Sequence, residues 1–235
     1  MILLTAVADT ATVAQDAILS LTEPVAESIN VWELAVKGGW IMLVLAVLSI
    51  IGVYKFFERY ATIRKALQKN PYLMDRLHDN IKDNDIKSAI NYCYNQDTPV
   101  SRVLVKGLKA YNLSTNYMRQ AMDNSASLEI ANLEKGLPVL STIAAVGPMI
   151  GFLGTVTGMV QAFWEMSNAG NNIDVSLLSG GIYEAMITTV GGLIVGIVTL
   201  FAYNFLVSRV DRVQNNIEGE IIDFMEIAAE LKDKE

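Results

Sequence analysis

From Gly136 to Ser208 the chain has no Lys, Arg or His, and its only charged side chains there are Glu165, Asp174 and Glu184. Glu165 and Asp174 fall in a polar stretch rich in Asn and Gly. Glu184 instead opens the run Glu184–Ser208, which is otherwise uncharged and mostly apolar. A carboxylate at or inside the edge of a bilayer is costly, and by default it is a functional residue. The chemistry open to it is protonic. Neutral Glu is tolerated in low dielectric, and ionised Glu only when paired or hydrated. A carboxyl group that alternates between the two states as its access changes can relay protons down a gradient. The competing reading is a Glu that only marks the membrane–water boundary. Hydroxyls are close in sequence: Thr188 and Thr189 lie about one turn beyond Glu184, and Thr142, Thr155 and Thr157 lie on the preceding apolar run. A single membrane Thr is ordinarily satisfied by the carbonyl one turn back on its own helix. Several of them beside one Glu suggest a narrow wetted path, and the extra hydroxyls leave Na+ open as an alternative to protons.

The elements that would position these groups are helices in a membrane. Gly38–Tyr54, Gly136–Trp164 and Ala185–Ser208 each lack charge for long enough to cross a hydrocarbon core, which takes roughly 17–25 helical residues. The first run is the shortest, and Lys55 at its end can snorkel to extend it. Trp32 and Trp40 bracket one end of that span and Tyr54, Phe56, Phe57 and Tyr60 the other, an aromatic belt at both interfaces. Orientation follows from the cations. Thirteen of the 18 Lys and Arg lie between Lys55 and Lys135, four follow the third span, and only Lys37 precedes the first. The positive-inside rule therefore puts the N-terminus and the 165–182 connector outside and the rest of the polar chain in the cytoplasm. The expected division is an extracytoplasmic segment 1–37, a first span 38–57, a cytoplasmic helical region 58–137, a second span 138–164, a connector 165–182, a third span 183–207 and a cytoplasmic amphipathic helix 208–235. The fold class is all-α, polytopic, with long cytoplasmic helical extensions.

Within 58–137, Pro71 and Pro99 with Asn70, Asn95 and Asp97 punctuate the chain into short helices near 59–69, 72–78, 83–94 and 99–111. A capped segment starts at Thr115, and Met118, Met122, Ala126, Leu128, Leu133 and Leu137 carry helical spacing into the second span. Beyond the third span, Val210, Val213, Ile217, Ile221, Phe224, Ala228 and Leu231 step by three or four residues, the stripe of an amphipathic helix. A stripe on so long a helix needs a partner, in the same chain or in a neighbouring copy.

Gly147, Gly151, Gly154 and Gly158 are spaced 4, 3 and 4 apart and fall on one face of the second span, where small residues let helix backbones approach closely. Pro148 inside this stripe removes a backbone donor and should kink or loosen the helix. Gly191 and Gly192 offer a similar packing face on the third span. Composition excludes much else. The net charge of −7 is spread without a basic face, so nucleic acid is not a partner. One Cys (Cys93) and one His (His78) give no basis for a metal site or a disulfide. No nucleophile–base pair or nucleotide loop is present, so neither an enzyme nor a cofactor is expected. Met1–Ala8 lacks the basic region of a cleaved signal peptide.

Ile150–Gly158 (IGFLGTVTG), following Thr142–Pro148 (TIAAVGP), resembles the second-span motif of the MotA/TolQ/ExbB proton channel family. Gly180–Thr189 (GGIYEAMITT), with Gly191–Gly192 and Tyr203–Asn204, resembles its third-span motif. The three-span layout with one long cytoplasmic insert is similar to the ExbB/TolQ branch. The resemblance implies a homopentamer whose pore, lined by spans two and three, encloses the helices of two ExbD- or TolR-like single-span partners. It also implies work on a TonB- or TolA-like protein, from a bacterial inner membrane with the N-terminus periplasmic and the C-terminus cytoplasmic. By motif position it makes Glu184 the buried Glu of the family, and Thr155 and Thr189 its pore-lining Thr. Helical spacing puts Thr188 nearer the face of Glu184 than Thr189, so Thr188 stays a candidate. Thr157 departs from the family pattern, where Trp is common. The implied role is the channel-forming subunit of a proton-driven motor, serving outer-membrane transport through TonB or, alternatively, Tol-Pal envelope integrity. A non-conducting membrane scaffold is the rival of a different class.

Overall fold

The computed structural model describes residues 38–68, 70–168 and 175–232, all within one compact unit. The N-terminal segment through Lys37, including Trp32, and the connector residues Asn171 and Asp174 lie outside the described residues. Seven helices are formed among those described: α1 Gly39–Ala66, α2 Leu73–Lys82, α3 Ile86–Gln96, α4 Pro99–Lys109, α5 Thr115–Glu134, α6 Leu137–Asn168 and α7 Val175–Lys232. Three of them, α1, α6 and the Leu178–Lys232 part of α7, are long and apolar enough to cross a membrane. Their outward faces remain apolar and open, as at Ile50, Phe152, Val160 and Phe201, which suits contact with lipid or with other helices.

The helices overrun the spans that hydropathy marks. α1 continues past Tyr54 without a break to Ala66, because the charges that follow it pair along the helix: Lys55 Nζ lies 2.7 Å and Arg59 Nη2 3.0 Å from the two oxygens of Glu58. α6 persists to Asn168, so Glu165 is helical, and α7 starts at Val175 and runs for 58 residues, roughly 87 Å at 1.5 Å per residue.

The polar region breaks where local chemistry demands it. Asp85 caps α3, its oxygens accepting from Ser88 N at 3.0 Å and Ser88 Oγ at 2.7 Å. Thr98 and Ser101 form a reciprocal capping box on α4, with Pro99 at the first helical position. Ser114, one residue before the expected start, caps α5 through Tyr117 N. The helical spacing from Met118 to Leu137 does not make one helix. α5 stops at Glu134 and Gly136 takes φ +87, a left-handed conformation that favours glycine. A Cβ there would also stand 2.9 Å from Arg59 Nε.

These helices wrap the last third of α7. Val210, Val213, Ile217, Ile221, Phe224 and Ala228 are each at most 4% exposed. They pack with Leu77, Leu104, Leu108, Met118 and Met122 in one core. The stripe that the sequence left without a partner is therefore buried within its own chain. Arg102 bolts α4 to α5, donating to Glu129 through Nε at 2.9 Å and Nη2 at 2.7 Å, and to Asp97 Oδ1 at 2.8 Å. Lys232 Nζ, near the end of α7, donates to Leu113 O at 3.2 Å and lies over the Tyr111 ring.

Phe224 is fully buried, and its Cε1 lies 2.9 Å from where a Cβ on Gly107 would be. Phe224→Ala should destabilise this bundle by about 3–5 kcal/mol. The check is the denaturant midpoint for proteolysis of the purified protein in detergent. An unchanged midpoint would mean that this core does not hold the long helix in place.

Candidate functional site

Two antiparallel helices carry every sequence-predicted site residue, and their separation is set by glycine. A Cβ on Gly147 would stand 3.3 Å from Gly192 O. One on Gly151 would stand 2.8 Å from Thr188 O and 3.0 Å from Thr189 Cα. At Gly154 it would overlap the Thr188 side chain, and at Gly158 it would meet Ala185 Cβ at 2.9 Å. From the other side, a Cβ on Gly192 would reach Gly147 O at 2.6 Å and Gly151 Cα at 2.9 Å. The seam is thus backbone on backbone, within one chain. Gly191 is not part of it. It turns toward α1, where an added Cβ would meet Met42 Sδ at 2.9 Å.

Pro148 does not interrupt α6, which is continuous through it. Its ring lies against Gly196, where any Cβ would collide with the ring carbons. Proline cannot donate to Ala144 O, and that carbonyl also faces Gly196, 3.0 Å from the missing Cβ position. A glycine opposite a proline lets both helices keep their course.

The threonines divide into two kinds. Thr142, Thr155 and Thr157 donate to their own helix, at Pro138 O (2.8 Å), Phe152 O (2.7 Å) and Leu153 O (3.0 Å). Thr188 and Thr189 instead reach across the seam. Thr189 Oγ1 donates to Gly151 O at 3.0 Å. Thr188 Oγ1 lies 2.7 Å from Ala185 O and 3.3 Å from Gly151 O, one donor shared between two acceptors. Both hydroxyls can gather at Gly151 O because that residue has no side chain to fill the space.

Glu184 is exposed in the single chain and lines a crevice of about 210 Å³ where α6 ends and α1 begins. Thr188 lines the same crevice, and Thr155 and Thr189 do not. The spacing that kept Thr188 as a candidate is thus reflected in the geometry of one chain, while Thr189 and Thr188 share a carbonyl deeper in the seam. Sequence reasoning passed over three other contributors: Gln161, Glu165 and the Gly38–Gly39 pair. Gln161 Nε2 donates to Glu165 Oε1 at 3.0 Å. The signal for them was present. Continuing the stepping by three and four residues beyond Gly158 reaches Gln161, Ala162 and Glu165.

Gly151→Ala should separate α6 from α7 and lower the melting temperature of the detergent-solubilised protein, and Gly151→Leu should do so more severely. Gly219→Ala is the matched control: it lies in α7 with nothing within 4 Å of an added Cβ. There, exchanging Gly for Ala should stabilise the helix by up to about 1 kcal/mol. Equal effects at the two positions would show that the seam is not a packing constraint.

Known proteins resemble this chain in sequence. The model of the MotA/TolQ/ExbB proton channel family matches residues 95–219, which take in α4, α5, α6 and the part of α7 that bears Glu184. The putative biopolymer transport protein ExbB homolog of Methanothermobacter thermautotrophicus is 29% identical over 190 residues, 80% of this chain and 67% of that protein. The putative biopolymer transport protein ExbB-like 1 of Synechocystis sp. is 33% identical over 175 residues, 73% of this chain and 68% of its own. The Tol-Pal system protein TolQ of Haemophilus influenzae is 35% identical over 134 residues, 57% of this chain and 53% of its own. With a glycine-packed helix pair, a carboxylate in the crevice at its end and a family match over more than half its length, the chain belongs to the MotA/TolQ/ExbB proton channel family.

Proposed function

We propose that this chain is the channel-forming subunit of an ion-driven motor, an ExbB-like protein that couples proton entry to outer-membrane transport. The observation that carries the reading is Glu184, a carboxylate at the edge of a glycine-sealed pair of membrane helices, facing a polar crevice. Five copies would enclose a pore lined by α6 and α7. Two ExbD- or TolR-like single-span helices would occupy that pore, and a TonB-like protein would receive the work. The open apolar faces of the three spans supply surface for such neighbours. The chain acts by moving protons, without a cofactor and without an enzymatic reaction. It would lie in a bacterial inner membrane, N-terminus periplasmic, with the α2–α5 bundle and the end of α7 in the cytoplasm. The second reading, a TolQ-like role in envelope integrity with a TolA-like partner, is favoured by the likeness to the Haemophilus protein.

Chemically, Glu184 would take a proton from water on one side and give it up to a partner carboxylate or to water on the other. Thr155 and Thr189 would orient water along that path. A Thr hydroxyl bonded to a carbonyl, as both are here, keeps lone pairs free to accept from water.

The test is proton uptake into liposomes holding this protein with its single-span partner, with and without Na+. Glu184→Gln keeps the shape of the side chain and cannot titrate, so the assembly should persist while flux falls to background. Glu184→Asp should retain partial flux, and Thr155→Val and Thr189→Val should reduce it with little effect on folding. Wild-type flux in Glu184→Gln would leave the scaffold reading in its place, and flux that requires Na+ would replace the proton as coupling ion.

Orientation has its own test. Cysteines placed at Asn171 and Gln68 should react with impermeant thiol reagents from opposite sides of the membrane. Native Cys93 should stay silent, since it is buried and burial pushes its thiol up to about 11. Labelling of both positions from one side would overturn the three-span topology.

A further inference from the structure

The first helix takes part in the Glu184 site in a way that neither motif predicts. Gly39 opens α1 at φ +62, a conformation that a side chain rarely adopts, and a Cβ there would stand 3.1 Å from Glu184 Oε1. The left-handed backbone favours glycine here, and any added Cβ would press on the Glu184 carboxylate. Gly38 offers no side chain to cap α1, and the first turn of α1 holds no acidic residue. The crevice that Glu184 lines is enclosed by this first turn and by α6 and α7 of the same chain. Its polar wall consists of Thr157, Gln161, Glu165, Glu184 and Thr188. Among the described residues, the lining has two carboxylates and no cation. A site needs only about 10–15 Å³ of such space and two to four polar partners to hold a water, so about 210 Å³ accommodates several.

We propose that Glu184 exchanges its proton with the periplasmic side through this crevice inside its own subunit, with Gly39 as the positioning residue beside the carboxylate and the Gln161–Glu165 pair on the crevice wall. The inference rests on the channel reading above and adds the route. A hydrated proton entering from bulk water passes along the crevice waters to the Glu184 carboxylate, leaving water and a neutral carboxylic acid. The acid later releases the same proton toward the opposite side and the carboxylate returns. Each subunit then carries its own entrance, separate from the central pore that a partner helix would fill. Gln161 donates to Glu165 at 3.0 Å, and Glu165 offers a second proton acceptor on the crevice wall.

The experiment is proton uptake by liposomes holding the full complex. Gly39→Ala should displace the carboxylate and slow flux on the order of tenfold to a hundredfold, with the oligomer intact by size-exclusion chromatography. Glu184→Asp withdraws the carboxylate by one methylene, so Gly39→Ala should add little to the loss that Glu184→Asp already causes. Independent, multiplying losses would mean that Gly39 acts through backbone strain alone and would overturn its positioning role. In a second arm, Gln161→Cys is made in a Cys93→Ser background and modified with a charged thiol reagent. Flux should fall upon modification, and unchanged flux after complete modification would rule the crevice out as the route. This second arm needs only folded, assembled protein, so it decides the matter even if Gly39→Ala fails to assemble. Failure of the channel reading looks different: Glu184→Gln would then conduct like wild type.

Discussion

The contact on which the rest depends is the one between the backbones of α6 and α7. In a bilayer, lipid tails are as apolar as leucine, so helices gain little by hiding apolar side chains from solvent. They associate through close packing and cross-helix hydrogen bonds. Here the glycines at 147, 151, 154 and 158 bring α6 against Ala185, Thr188 and Gly192 of α7 closely enough that an added methyl group collides with main-chain atoms at several points. The two hydroxyls that reach Gly151 O are a secondary contribution, since such bonds average about 0.6 kcal/mol in membranes. Close approach comes first and permits them, because a side chain at residue 151 would occupy the space they cross.

Several properties of the site follow from that contact. Glu184, Thr188 and Gly192 lie on successive turns of α7, so the glycine seam sets where the backbone that carries the carboxylate lies along α6. Small residues on both helices also leave room at the end of the pair. A narrow crevice persists there beneath the first turn of α1 instead of closing into a dry core. At the opposite end, α7 continues into a core of aliphatic side chains wrapped by α2–α5. The long helix is thus held along both halves of its length.

Much of this was legible in the sequence because it rests on periodicity. The glycine spacing and the stripe from Val210 to Ala228 each mark one face of a helix that the fold uses, and the apolar runs mark the helices long enough to cross a membrane. Motif resemblance singled out Glu184 and its threonines as candidates and named a family that the matched residues bear out. What stayed hidden depends on contacts between distant segments. Nothing in the spacing from Met118 to Leu137 announces the break at Gly136. That break comes from a left-handed glycine seated against Arg59, some 77 positions earlier in the chain. Gly191 and Gly192 are adjacent in sequence yet serve different neighbours, α1 and α6. Glu165 reads as connector by its polar surroundings, but the helix carries it into the crevice. The approach of Gly39 to Glu184 joins residues that no local pattern connects.

The central claim is that Glu184 itself gains and loses a proton as the protein works. Infrared difference spectroscopy of the complex in proteoliposomes reads this directly, through the C=O stretch of a protonated carboxyl group after a pH jump on one side of the membrane. The account predicts a carboxyl band in the wild type that is missing in Glu184→Gln while the amide bands are unchanged. A band that persists in Glu184→Gln, or a wild type that conducts with no carboxyl band at all, would contradict it.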